Sequence, residues 1–138
     1  ELKVKLADFA LTRQLQFGKD YTTMQVGTIL YQAPELLKRS NEGERSIITQ
    51  TQAADIWAMG IICYEILAQK HPFANSKDNM TLDDLIKTIT KSKPPKLPSQ
   101  YSTRMKSLIK KMLINNVQKR FTIDDIIEYQ EIAQRLTN

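Results

Sequence analysis

The chain is poor in the residues that build redox centres, metal sites and membrane spans. Its one cysteine, Cys63, excludes an internal disulfide. Its one histidine, His71, stands directly before Pro72, and a single imidazole does not make a metal site. No apolar run approaches the roughly 20 residues that cross a bilayer, and no segment has the order of a secretory signal. A cytoplasmic setting, or a nuclear one, is therefore the default, with no membrane partner. The four glycines contain no Gly-x-Gly, so a glycine-rich phosphate loop is absent from these 138 residues. Acids are missing from one long stretch: Lys87 to Arg120 holds ten Lys or Arg and no Asp or Glu, within a net charge of +5. That stretch reads either as a patch for an acidic partner or nucleic acid, or as solvated helix faces. The second reading is preferred, because Lys106, Lys110 and Lys111 interleave with an apolar stripe. Nucleic acid is not expected, since no series of aromatic residues interleaves with the charges as stacking requires.

What is present is ordinary for one globular domain: 41% hydrophobic and 25% charged residues, enough chain to bury a core. The most informative stretch is Thr51 to Phe73, TQAADIWAMGIICYEILAQKHPF. Ile56, Trp57, Met59, Ile61, Ile62, Cys63, Ile66 and Leu67 surround the helical circumference, which predicts a helix buried all round. Thr51 suits the N-cap, Asp55 the positive end of the helix dipole, and Lys70 the last turn before His71-Pro72 stops the helix. Gly60 in its middle costs about 1 kcal/mol relative to Ala, so a neighbour is expected to pack closely there. Cys63, inside this helix, reads as a core residue and not as a reactive thiol.

Asp55, Trp57 and Gly60, followed by Tyr64-Glu65 and Pro72-Phe73, resemble the D-x-W-x-x-G helix at the centre of the C-lobe of eukaryotic protein kinases. Asp8-Phe9-Ala10, Gly27-Thr28, Ala33-Pro34-Glu35 and Arg120 follow the same family's order. The resemblance covers residues 1–138 and implies a partial kinase domain of the Ser/Thr type. Its parts are an activation segment over 8–35, the central helix over 51–73 and C-terminal helices over 81–138. The implied fold is mainly α, a helical bundle around a buried central helix, with a short N-terminal β-strand. That strand is also legible in Glu1 to Phe9, where Leu2, Val4 and Leu6 alternate with Lys3 and Lys5.

The resemblance assigns roles residue by residue. Asp8 becomes the Mg²⁺ ligand beside ATP, because a hard cation that bridges phosphates takes oxygen donors. Phe9 is expected to pack behind it. Ala10 stands where the family has Gly, which restricts switching of the loop but leaves the metal ligand in place. Tyr21, Thr22, Thr23 and Thr28 are hydroxyls of the activation segment. Met24 occupies the commonest phosphorylation position, so Thr22 or Thr23 would substitute for it. Thr28 implies the substrate-positioning hydroxyl typical of Ser/Thr kinases, and Glu65 a position facing basic substrate residues, although Leu30 replaces a companion acid. Glu35 and Arg120 imply a buried ion pair, Asp55 a support for the catalytic loop, and Ile62 with Ile66 an apolar base beneath the adenine.

Ser40 to Gln50 reads as a surface insertion. Three amphipathic helices are expected beyond it: one capped by Thr81 and Asp84 with Leu82, Leu85, Ile86 and Ile89, one capped by Ser102 with Met105, Leu108, Ile109, Met112 and Leu113, and one opened by Thr122 and Asp125 with Ile123, Ile126 and Ile127. Pro94, Pro95 and Pro98 stiffen the connector between the first two. The family's ATP lysine, His-Arg-Asp loop and glycine-rich loop are not among these residues. The expectation is therefore a piece of a kinase that acts on protein substrates, inactive by itself. The alternative is a pseudokinase lobe that serves as a scaffold.

Overall fold

The computed structural model describes residues 5–7, 9, 29–37, 51–74 and 80–136. Among the described residues six helices follow one another: α1 (Pro34–Leu37), α2 (Gln52–Ala68), α3 (Leu82–Lys91), α4 (Thr103–Met112), α5 (Ile123–Ile127) and α6 (Gln130–Leu136). Short 3₁₀ turns occupy Ile29–Tyr31 and Val117–Lys119.

No β-strand is present among the described residues, which corrects the expected N-terminal strand. Lys5 to Ala7 and Phe9 carry no regular structure, and Leu6 and Phe9 are 87% and 65% exposed. Alternation can nominate a strand, but a strand needs a neighbour to take its backbone hydrogen bonds. The described residues offer none. Phe9 is open to solvent, and Asp8, behind which it was expected to pack, lies outside the described residues.

Helix α2 is the axis of the fold and packs against α4, while α1 packs against α3. Ala54, Trp57, Ile61 and Tyr64 of α2 join Ala33, Leu37, Phe73, Ile89, Ile109 and Leu113 in the larger core. A smaller core gathers Ile56, Leu108, Met112 and Ile126. Trp57 stacks on Phe73 with centroids 5.7 Å apart, which places the aromatic of the D-x-W pattern against the ring that follows His71-Pro72.

Two expectations for α2 need correction. First, the helix is not buried all round: Met59, Ile62 and Ile66 are exposed, Ile62 by 48% and Ile66 by 62%, the apolar patch expected of this helix where the family's covering segments are not among these residues. With Asp55, these residues recur at i, i+4, i+7 and i+11, a single stripe down one side. An apolar circumference records which residues tolerate burial; whether a neighbour is there is a separate matter. Second, the helix ends at Ala68, before Lys70 and His71. Gln69 turns left-handed (φ 55°), its N–H reaching the Glu65 carbonyl at 2.8 Å and its side-chain amide donating to the Ile66 carbonyl at 2.7 Å. Two hydrogen bonds to otherwise orphaned carbonyls offset the roughly 1 kcal/mol that this backbone costs a non-glycine residue. Thr51 takes the N-cap position without a side-chain capping bond.

The other caps form mostly as their sequences suggest. Ser102 Oγ accepts from the Met105 N–H, and Thr122 and Asp125 close a reciprocal capping box. Thr81 accepts from the Asp84 N–H, while the Asp84 carboxylate takes the Thr81 hydroxyl at 2.6 Å, holding that carboxyl below the usual range. The final helix expected at Thr122 is only five residues long and buries Ile126 alone, leaving Ile123 and Ile127 exposed. Tyr129 then breaks the chain into α6.

Gly60 sits where α2 crosses α4. A Cβ there would lie 2.9 Å from Leu113 Cδ2 and 3.0 Å from Met112 Cβ. Leu113 can rotate, but Met112 Cβ is fixed to the α4 backbone. Gly60→Ala is therefore expected to lower stability by about 1–2 kcal/mol, overpacking outweighing the gain of about 1 kcal/mol in helix propensity. Urea unfolding of the two proteins measures this, and a stabilised variant would mean that α4 moves freely.

Candidate functional site

The site is built where the end of the segment 29–37 meets the C-terminal half of α2 and the residues after it. The anchor is Arg120. It is fully buried, its side chain 0% exposed, and its guanidinium grips Glu35 at both ends: Nη1 to Oε1 at 2.7 Å and Nη2 to Oε2 at 2.8 Å. Nη1 also donates to the Ala53 carbonyl in the first turn of α2 (2.8 Å), and Nε to the Ile114 carbonyl after α4 (2.9 Å). The planar fork suits this arrangement, which an ammonium could not reproduce. Its Cζ lies 5.1 Å from the Trp57 ring centroid, adding a cation–π contact. One side chain thus joins α1, α2 and the turn beyond α4.

Above that anchor, Tyr31, Glu65 and His71 hold the preceding turn. The Tyr31 hydroxyl donates to Glu65 Oε2 at 3.0 Å, and this bond to a carboxylate raises the tyrosine pKa further from neutrality. Tyr31 meets the His71 ring edge-on, centroids 6.0 Å apart. His71 Nδ1 accepts from the Phe73 and Ala74 N–H groups (3.1 and 3.0 Å), so its proton sits on Nε2, which donates to the Leu30 carbonyl at 3.0 Å. Burial lowers the imidazole pKa, opposed by the Leu30 bond and the nearby Glu65 charge. The ring is therefore a neutral clamp between the 29–31 turn and the loop after α2.

These placements refine the sequence-derived roles. Glu65 lies beside the 29–31 turn, with one oxygen committed to Tyr31. Asp55 is exposed and no hydrogen bond joins its carboxylate to another described residue; loss of hydration still pushes its carboxyl above the usual range. Cys63 is half-buried, and burial raises its thiol pKa, which suits a packing residue. Trp57 and Gly60 lie in the core and at the helix crossing. Asp8, Ala10, Tyr21, Thr22, Thr23, Met24, Gly27, Thr28 and the loop Ser40 to Gln50 lie outside the described residues. The clamp of Tyr31 and His71 escaped the sequence reading. Its one signal was a histidine placed directly before Pro72, where a helix had to end.

Comparison with known proteins bears on the whole chain. A family model described as the protein kinase domain matches residues 1–131. The serine/threonine-protein kinase Nek3 of Mus musculus is 37% identical over 119 residues, covering 86% of this chain and 21% of that protein. The serine/threonine-protein kinase Nek2 of Homo sapiens is 31% identical over 130 residues, covering 94% of this chain and 26% of its own length. The probable serine/threonine-protein kinase fhkC of Dictyostelium discoideum is 36% identical over 128 residues, which is 91% of this chain and 20% of that protein. The chain thus spans about a fifth to a quarter of these relatives.

Two measurements follow from the geometry. Arg120→Ala strands the Glu35 carboxylate and is expected to cost about 3–5 kcal/mol in urea unfolding. Arg120→Lys keeps the charge but loses the fork, and should recover only part of that loss; full recovery would show that charge alone matters. For His71, the folded pKa lies below the ordinary value near 6.5, so the unfolded chain takes up the proton first. Stability should be steady above that pH and fall as the pH drops through it. The His71→Gln variant should flatten the decline, as followed by thermal midpoints from pH 7.5 to 5.

Proposed function

Because the chain belongs to the protein kinase domain family, we propose that it forms the C-lobe platform of an ATP-dependent kinase that phosphorylates serine and threonine in protein substrates. The observation that carries this reading is the bidentate Arg120–Glu35 pair, which ties the end of the segment starting at Asp8 to the central helix. A segment that must present a substrate hydroxyl needs its far end immobile, because misplacement by about 1 Å can cost a hundredfold in rate.

In this reading the residues divide the work by position. Arg120 fixes Glu35 and thereby α1; His71 holds the Leu30 carbonyl; Glu65 holds Tyr31. Thr28, one residue before the 29–31 turn, would place its hydroxyl toward the reacting groups, and phosphate on Thr22 or Thr23 would order the segment between. Asp8 would contribute one carboxylate toward Mg²⁺. That ion takes about six oxygen ligands. No group of three or more His, Cys, Asp or Glu side chains that could share a metal occurs among the described residues. Asp8 would be one of the oxygen donors, and in this reading the family's catalytic-loop residues supply another. Magnesium-bound ATP supplies the transferable phosphoryl group and the neutralisation of its charge. The bare stripe of Met59, Ile62 and Ile66 would receive the apolar underside of the catalytic half, with Asp55 bonding its backbone. Ala10, in place of Gly, is the observation that favours the second reading, a pseudokinase lobe acting as a scaffold.

The test is phosphate transfer from radiolabelled ATP to a panel of Ser- and Thr-containing peptides by the full-length protein. Transfer is expected, with Asp8→Asn reducing kcat on the order of a thousandfold. These 138 residues by themselves should give none, since no group here can accept the substrate proton in the family's manner. Equal, background-level signal from the full-length protein and Asp8→Asn would replace the kinase reading with the scaffold. Transfer by the isolated chain would overturn the assignment of catalysis to residues outside it.

A further inference from the structure

Five lysines of the acid-free stretch from Lys87 to Arg120 line one cleft. The connector 92–102 joins α3 to α4, and residues of all three line this cleft of about 850 Å³. This is the size of a ligand or peptide pocket. Lys91, Lys93, Lys96, Lys106 and Lys110 all line it, and no Asp or Glu does. None of the five forms an ion pair with a described residue; Lys106 alone is tied down, donating to the Ser99 carbonyl at 3.1 Å. The lining between the ammoniums is mixed: Pro94, Pro95 and Leu97 from the connector and Ile109 and Leu113 of the core give an apolar patch, with Ser92, Ser99, Asn115 and Asn116 around it. Tyr64 of α2 lies at the base, buried, and its hydroxyl has no hydrogen-bond partner among the described residues.

A single carboxylate or an alkyl chain would leave most of the five charges unmatched. Nucleic acid would carry enough charge, but the one aromatic side chain in the lining is Tyr64, which is buried and offers no face for stacking a base. The combination suits several carboxylates around an apolar centre. We propose that this cleft docks an acidic peptide segment of a partner protein, its apolar side chain seated on Pro94, Pro95 and Leu97 and its Asp and Glu residues facing the five lysines. The stiffness of the proline connector favours such a groove, since a preformed wall loses little entropy when it is filled. A peptide carbonyl reaching the base would supply the acceptor that the Tyr64 hydroxyl lacks. The cleft contains none of the residues assigned to phosphate transfer, so docking is independent of that reading and survives its failure.

Fluorescence anisotropy with the full-length protein tests this, using labelled Glu-Asp-Glu-Leu-Leu-Asp-Glu-Asp as the probe. Binding is expected, weakening as salt is raised. The exposed triple variant Lys93→Glu/Lys96→Glu/Lys110→Glu should lose affinity by about tenfold or more, and the corresponding triple Gln variant by less, since neutralisation removes attraction without adding repulsion. Leu97→Ser should weaken binding at unchanged salt dependence. The proposal is overturned if both triple variants bind as the parent does, if a Lys-Arg-Lys-Leu-Leu-Arg-Lys-Arg peptide binds equally well, or if single-stranded oligo-dT of the same charge binds more tightly.

Discussion

The fold depends on one buried guanidinium. Arg120 is withdrawn from water, and every direction it donates in is already a structural joint: Glu35 on α1, the Ala53 carbonyl on α2, the Ile114 carbonyl after α4. A buried cation without such partners would be prohibitively costly, so the elements that supply them are held to one arrangement. The reverse holds as well. Ala53 and Ile114 are backbone acceptors, and only a particular packing of α2 on α4 brings both within reach of the same fork. Gly60 permits that packing, because the helices approach where it has no side chain. Ion pair and helix crossing are therefore one constraint seen from two ends.

How much of this was legible follows from which interactions are local. Caps depend on residues three apart, and Ser102 and Thr122 were readable for that reason. The Glu35–Arg120 pair joins positions 85 apart. No local rule reaches that far, and it entered through resemblance to a family with those residues in that order. The N-terminal strand failed for the complementary reason: alternation is local, but pairing is not, and Lys5 to Ala7 find no partner strand among the described residues. Short α1 carries too few residues for periodicity to register, while α6 follows a break at Tyr129 that the sequence does not punctuate with Gly or Pro. His71 was read as a helix stop and proved to be a clamp, because what it grips, the Leu30 carbonyl, is a backbone atom that any residue would supply.

The central helix shows what a hydrophobic pattern can and cannot say. Trp57, Ile61 and Tyr64 are buried, and Met59, Ile62 and Ile66 are not, yet all six are apolar or aromatic. Their sequence does not separate the two sets. What separates them is whether the surrounding chain supplies a neighbour. An exposed apolar stripe of this kind on a globular domain is expected to be covered in its working state, and the Asp55 carboxylate at its head, without a hydrogen-bond partner among the described residues, is a polar group suited to bonding the same cover.

Helical geometry then settles how that cover relates to the lysine cleft. Successive residues turn by about 100°, so Tyr64 lies roughly 200° around α2 from Ile62. The exposed stripe and the residue at the base of the cleft are thus on opposite sides of one helix. A neighbour on the stripe does not occlude the cleft, and a peptide in the cleft does not touch the stripe. Between them lies the packed interior of Trp57, Ile61 and Ile109, which both surfaces share. In the reading proposed above, the same helix backs chemistry on one side and recruitment on the other, while the charge of the cleft comes from Lys91 at the end of α3, Lys93 and Lys96 of the connector, and Lys106 and Lys110 of α4.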